Sequence, residues 1–335
     1  MSDDPASIDG GAGFLAAIDA ELGALDRRGL RAPASALSQR YRLQGPGSSH
    51  DAGSAQLQAY LATRAPATFA AVRRVLHEVA SLRPDWLAKS VLDLGAGPGT
   101  ATWAAAEVFG TIERAVLVER DKEMAALGAR LLERAPVRPV ADIEWTSKDL
   151  TAVGLPESDL VIASYVLGEL GPELRAPALE QWWSATVGEL VIVEPGTPAG
   201  FERLRQARTA LIARGAHLTA PCPHDGPCPM AGRDWCHFAV RLERSALHRD
   251  LKGARLGYED EKYAYLAASP SRTRAAAARL VRSPRLHKGH VRIVTCETDG
   301  LAERVVSRRE GDVYKRARAA RWGDRLDGDR GYNAC

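Results

Sequence analysis

Residues 90–105 read SVLDLGAGPGTATWAA, and the fold turns on this stretch. The apolar run Ser90–Leu94 is rich in Val and Leu and stops at a glycine cluster, as a buried strand does. Asp93 is then followed by Gly95, Gly97 and Gly99 at alternate positions, and an Ala-rich helical stretch comes next. Glycines let the chain turn sharply and let a ligand approach main-chain N–H groups at a helix N-terminus. A dinucleotide-binding turn requires G-x-G-x-x-G/A, whereas the sixth position here is Thr100. Strand, D-x-G-x-G-x-G and helix in that order favour a turn that wraps S-adenosylmethionine.

Downstream, AVLVE (115–119), LVIAS (160–164) and ELVIVE (189–194) are further short apolar runs, separated by helical stretches at 100–109, 121–134 and 173–186. Buried parallel strands alternating with helices predict a doubly wound α/β sheet. The expected fold class is therefore α/β: a Rossmann-like class I S-adenosylmethionine-dependent methyltransferase fold. It carries a helical N-terminal lead-in and a Cys-rich metal-binding insertion. Helical periodicity fills 11–43 and 56–82, around the Gly/Ser-rich linker GPGSSHDAGS (45–54). Four divisions follow: 1–88 the helical lead-in, 89–200 the core with the cofactor turn, 201–300 the remaining core strands and Cys-rich loop, and 301–335 a basic extension. Strand candidates in the later part are 262–269 and 290–298.

Glu119 closes the second strand, where an acid accepts the ribose hydroxyls in nucleotide folds. Asp149 follows the next strand-like run and is placed to accept from the adenine amino group. With Asp93, Gly95, Gly97 and Gly99 they form the expected cofactor set. A methyl acceptor is harder to find. No cysteine precedes Cys222, which excludes a base methylase using a cysteine at a central strand end. An Asn/Asp-Pro-Pro-aromatic loop for amino-group methylation is also missing. At the expected place stands SYVLGEL (164–170), with Tyr165 and Glu169 as weak catalytic candidates.

Cys222, Cys228 and Cys236 lie in a Pro-rich loop at C-x5-C-x7-C spacing, and Cys296 sits on a later strand. The fifth cysteine, Cys335, is the last residue. The acidic start MSDDPASIDG is neither a secretory signal nor an Arg-rich transit peptide, so the cytoplasm is the expected compartment and disulfides are not expected. Four thiolates suit a zinc ion or an iron–sulfur cluster, and His224 or His237 can replace one Cys at zinc. The compact C-x3-C-x2-C loop of radical enzymes is absent.

Net charge is only +3, but fifteen Lys/Arg stand against six Asp/Glu between Arg272 and Arg325. That asymmetry predicts a polyanionic partner, RNA rather than DNA, met by Arg292, Arg308, Arg309, Lys315, Arg316, Arg318, Arg321 and Arg325. No run approaches the ~20 apolar residues of a membrane helix, so no membrane partner is expected.

Together these residues resemble a known family, the methyltransferase-like assembly factors of the mitochondrial ribosomal small subunit and their bacterial relatives. The stretches that carry the resemblance are YLATRAPATFAAV (60–72), VLDLGAGPGTATWAA (91–105), SYVLGEL (164–170) and VEPGTPAGF (193–201). To these are added CPHDGPCPM and DWCHF within 222–238, KGHVRIVTCETDG (288–300) and YKRARAARWGD (314–324). The lead-in before Gln56 matches only loosely. The resemblance implies S-adenosylmethionine at the Asp93–Gly99 turn and a [4Fe-4S] cluster on Cys222, Cys228, Cys236 and Cys296. It also implies association with small-subunit ribosomal RNA. An active rRNA methyltransferase is the alternative, and a zinc-stapled small-molecule methyltransferase a weaker one.

Overall fold

A computed structural model describes residues 12–23, 30–36, 53–230, 234–327 and 331–333. The expected linker lies largely outside the described residues, as do parts of the 11–43 helix and Cys335.

The order is α1 (Ala12–Leu22), α2 (Ser54–Thr63), α3 (Ala65–Leu82), β1 (Ser90–Leu94), α4 (Thr100–Phe109), β2 (Arg114–Val118), α5 (Lys122–Arg134) and β3 (Asp142–Thr146). Next come β4 (Ser158–Ser164), α6 (Pro172–Ser184), β5 (Thr186–Pro195), α7 (Pro198–Ala213), β6 (His217–Ala220), β7 (Phe238–Glu243), α8 (Ala246–Lys252) and β8 (Tyr258–Ser269). The chain continues through β9 (Ala278–Leu280), β10 (Arg285–His287), β11 (His290–Glu297), β12 (Gly300–Ser307), a 3₁₀ turn (Arg308–Glu310), α9 (Asp312–Ala319), β13 (Arg325–Asp327) and β14 (Gly331–Asn333). The continuous helix expected over 56–82 is broken at Arg64, because Pro66 in the first turn of α3 has no N–H to continue α2.

Eight strands form the first sheet, in the order β3-β2-β1-β4-β5-β8-β6 with β7 also on β8. β3, β2, β1, β4 and β5 run parallel, while β8 is antiparallel to β5, β6 and β7. A parallel 3-2-1-4-5 set prolonged by a reversed strand is a Rossmann-like methyltransferase sheet. Alternate residues of β1 feed opposite faces. Val91 packs into a core with α1–α5, and Leu92 and Leu94 into a core with α6 and α7. On the first face Phe14 stacks on Phe69 and leans on Trp103, fastening the lead-in over α4.

β9 to β14 build a separate six-stranded antiparallel sheet. Its core is Leu280, Val291, Ile293 and Val306 under Tyr314 and Ala317 of α9. Segment 262–269 therefore completes the first sheet, whereas 290–297 belongs to the second. A buried Arg279 ties the two together: its guanidinium donates to Glu78 at 2.7 Å, to the carbonyl of Pro221 at 3.1 Å and to that of Gly323 at 3.0 Å.

Candidate cofactor turn and cysteine cavity

The glycine turn has the geometry its composition requires. Gly95, Gly97 and Gly99 adopt φ of 65°, 55° and 83°, a region side chains disfavour. Beneath it Asp93 is wholly buried, and its Oδ2 accepts from the Thr102 N–H at 3.0 Å and the Thr102 hydroxyl at 2.9 Å. That clamps the first turn of α4 to the end of β1. Asp93 Oδ1 is buried without a partner, and desolvation pushes the carboxyl up to about 7.

Glu119 reaches back to the same turn. Its two oxygens accept from the N–H groups of Gly97 and Asp121, each at 2.8 Å, while partial burial raises its pKa. The structure thus brings Asp93, the three glycines and Glu119 together. Asp149 is exposed, and its Oδ1 accepts from the N–H and hydroxyl of Thr151 at 2.7 and 2.6 Å. Those bonds hold its pKa below the usual range.

Two contributors escaped the sequence reading. The Trp145 ring lies over Gly99 and against Gly128, where an added Cβ would sit 2.5 Å from the indole. The Tyr60 hydroxyl of α2 hangs over Gly97. A glycine inside the α5 helix was the available signal for the first, since helix-interior glycine marks close approach.

At the end of β4, Tyr165 is the one non-glycine residue among those described with positive φ, 61°. The residue is buried, and its hydroxyl donates to Glu261 at 3.2 Å. Glu261 is in turn gripped by both Nη atoms of Arg64. Burial, with Glu261 second, pushes the Tyr165 phenol well above its usual range. Glu169 is exposed in the following turn.

A second site lies where the two sheets meet. Cys222, Cys228, Cys236 and Cys296 all line one cavity of ≈ 50 Å³, with His224, Arg208 and Arg279. Among the described residues, however, no group of His, Cys, Asp or Glu is gathered so as to hold a metal ion, and the metal-binding nature of the insertion is not borne out. The donor chemistry still fits a negatively charged sulfur-ligated group. Arg208 is almost wholly buried and fixes the loop by donating to the carbonyls of His224 (2.9 Å) and Gly226 (2.6 Å). It also approaches the Cys222 thiol, so two buried guanidiniums face four thiols. Cys296 Sγ is 3.9 Å from His224 Nε2, whereas His237 packs between Trp235 and Trp322.

The expected RNA contacts divide. Arg308, Arg309, Lys315 and Arg318 are exposed, Arg292 is half-exposed and bonded to Glu303, and Arg321 lies at the surface beyond α9. Arg316 is partly covered. Arg325 is a correction: it is buried, with Nη1 on the Ser81 hydroxyl at 2.7 Å and near Glu78, so it belongs to the seam and cannot reach a phosphate.

Comparison with known proteins follows the same outline. A human relative, "Ribosome assembly protein METTL17, mitochondrial", is 30% identical over 285 residues, covering 80% of this chain and 61% of its own length. "Rsm22-cox11 tandem protein 2, mitochondrial" of Schizosaccharomyces pombe is 27% identical, covering 80% of this chain and 43% of its own. The chain thus spans roughly half the length of these relatives. Among solved structures, the magnesium protoporphyrin IX methyltransferase of Synechocystis PCC 6803 with bound SAM aligns over 74% of this chain and 99% of its own, at 12% identity and a TM-score of 0.42. The relatives are mitochondrial proteins, which corrects the cytoplasmic expectation and points to the mitochondrion. Residues 54–327, from the helix over the glycine turn to the end of β13, match the family described as mitochondrial small ribosomal subunit Rsm22, and the chain belongs to that family.

Proposed function

We propose that the chain is a methyltransferase-like assembly factor of the small ribosomal subunit that binds S-adenosylmethionine and small-subunit rRNA and carries a [4Fe-4S] cluster. The observation that carries this reading is the contrast at the first sheet: a formed cofactor turn beside an acceptor position closed by structure. Glu119 keeps acceptor capacity for the ribose hydroxyls beyond its two backbone bonds. Tyr165, by contrast, commits its hydroxyl to Glu261, and that pair is locked by Arg64. A group holding a proton in a buried ion-pair network is a poor acceptor-activating base.

Cys222, Cys228, Cys236 and Cys296 would hold the cluster, which supplies a covalent link between the two sheets when bound. Arg208 and Arg279 offset its negative charge and keep the Pro-rich loop closed. Anaerobic purification with iron, sulfide and zinc analysis tests the cluster: about four irons per chain, lost in Cys222→Ser, are expected. One zinc and no iron overturns it. Calorimetry with S-adenosylmethionine tests the turn, and Glu119→Gln should bind at least tenfold more weakly. Labelled methyl appearing in rRNA in a transfer assay would replace this reading with that of an active rRNA methyltransferase.

A further inference from the structure

The second sheet has two faces, and α9 covers one of them. Val291 and Ile293 of β11 point into that covered core. Their neighbours His290 and Arg292 face the other way, and the register sets Arg285 opposite Arg292 and His287 opposite His290. All four side chains therefore share the uncovered face of the β10–β11 hairpin. Two features of this rung are unusual. Like charges directly across a strand pair destabilise it, yet Arg285 and Arg292 stand opposite one another. Next to them the imidazoles of His287 and His290 are stacked at 4.6 Å with planes 8° apart.

The hairpin closes on Lys288–Gly289, with Gly289 at φ 87°. The carbonyl of Gly289 accepts from the Arg308 N–H at 2.8 Å, which brings the Arg308–Arg309 turn alongside. Arg285, Lys288, Arg308 and Arg309 are exposed, and their side chains make no ion pair among the described residues. The acids nearby are committed: Glu303 to Arg292, and Glu310 to the N–H of Ser307. Val305, exposed opposite Arg292, adds an apolar flank.

We infer that this hairpin corner grips a single-stranded RNA segment, an inference that rests on the rRNA reading above. Planar rings on an open sheet face offer a stacking platform, and exposed cations with no ion-pair partner among the described residues offer grips for the phosphates on either side. A duplex hides its bases and would use only the cations. The same β11 face carries Val294 and Cys296 at its other end, where Cys296 lines the cysteine cavity and Val294 packs against the cluster of Met230, Val281 and Cys296, so the hairpin is built on the seam.

The test uses the full chain with a fluorescent unstructured RNA 12-mer, the same sequence as duplex, and small-subunit rRNA, all read by anisotropy against salt. His287→Ala with His290→Ala should weaken single-strand binding about 5- to 100-fold, the range of one lost stacking contact, and leave duplex binding within about twofold. Replacing Arg285, Lys288, Arg308 and Arg309 by Gln should lower the salt slope by about 0.7 per cation removed. All these residues are exposed or half-buried, and unchanged thermal melts confirm that the variants fold. If both variants bind rRNA as the parent does while Arg316→Glu with Arg318→Glu does not, the hairpin proposal is overturned and the rRNA reading stands. If the parent binds no RNA, both fall. Unchanged RNA affinity with lost co-sedimentation on small subunits would make the corner a protein contact and overturn the proposal.

Discussion

The glycine turn and the cysteine seam are both candidate sites, yet they are made in opposite ways. The turn is built largely from one contiguous stretch, with its clamp nine residues away at Thr102 and its acid at the end of the adjacent strand. The seam is gathered from remote places: Glu78 in α3, Arg208 in α7, the loop cysteines, and Arg279 and Cys296 in the second sheet. A site of the first kind tolerates loss of tertiary contacts better than a site of the second. Damage to the seam should therefore spread through the molecule, whereas damage to the turn should stay local.

The largest effect is expected at the seam. Arg279→Ala takes from buried Glu78 its 2.7 Å partner, a change that costs about 3–5 kcal/mol. Calorimetric melting should show it together with loss of cluster iron, and a variant that keeps both would break the comparison. At the turn, Gly128→Ala drives a methyl into the Trp145 ring and the backbone of Pro98, at about 1–3 kcal/mol. Cofactor affinity should fall while metal content stays, and equal loss of both would mean the sites are not separable.

Proton linkage sharpens the contrast. Burial raises Asp93 from 3.8 to about 7, and it outweighs the 2.7 Å Arg83 bond to raise Glu189, buried on β5, from 4.5 to about 7. Between about pH 4 and pH 7 each folded carboxyl then holds a proton that the unfolded chain has released. Their contribution to stability is complete below about pH 4 and is lost as pH rises through about 7. Melts at pH 5 and pH 8 should differ less in Asp93→Asn than in the parent, and an unchanged difference would refute the assignment. Tyr165→Phe removes one hydrogen bond and should cost about 0.5–1.5 kcal/mol by denaturant unfolding without altering cofactor affinity. Arg316→Glu with Arg318→Glu sets two acids in the last turn of α9 and should cost about 0.5–1 kcal/mol, while rRNA binding should weaken.

Why some of this was legible follows from range. SVLDL and its three glycines specify strand, turn and helix through steric rules acting over a few residues, and their reading matches the fold. The break at Arg64 was missed because helical periodicity runs through it and only Pro66 interrupts the hydrogen bonding. Arg325 sat in a basic run and read as surface, and nothing in its neighbours revealed Glu78, far away in the chain. Trp145 carried a trace, through Gly128, that went unread.

By itself, then, the sequence determined the α/β class and the order of strands and helices around the turn, and it named candidate residues for a metal group and for phosphates without deciding where they stand. Only the tertiary structure decided that β8 enters the first sheet while β11 leaves it for another, that Arg325 is a staple, and that Arg285 and His287 face out beside Arg292 and His290. The physical reason is that local torsion and periodicity are written in neighbouring residues, whereas register, burial and buried charge pairing depend on which distant segments meet.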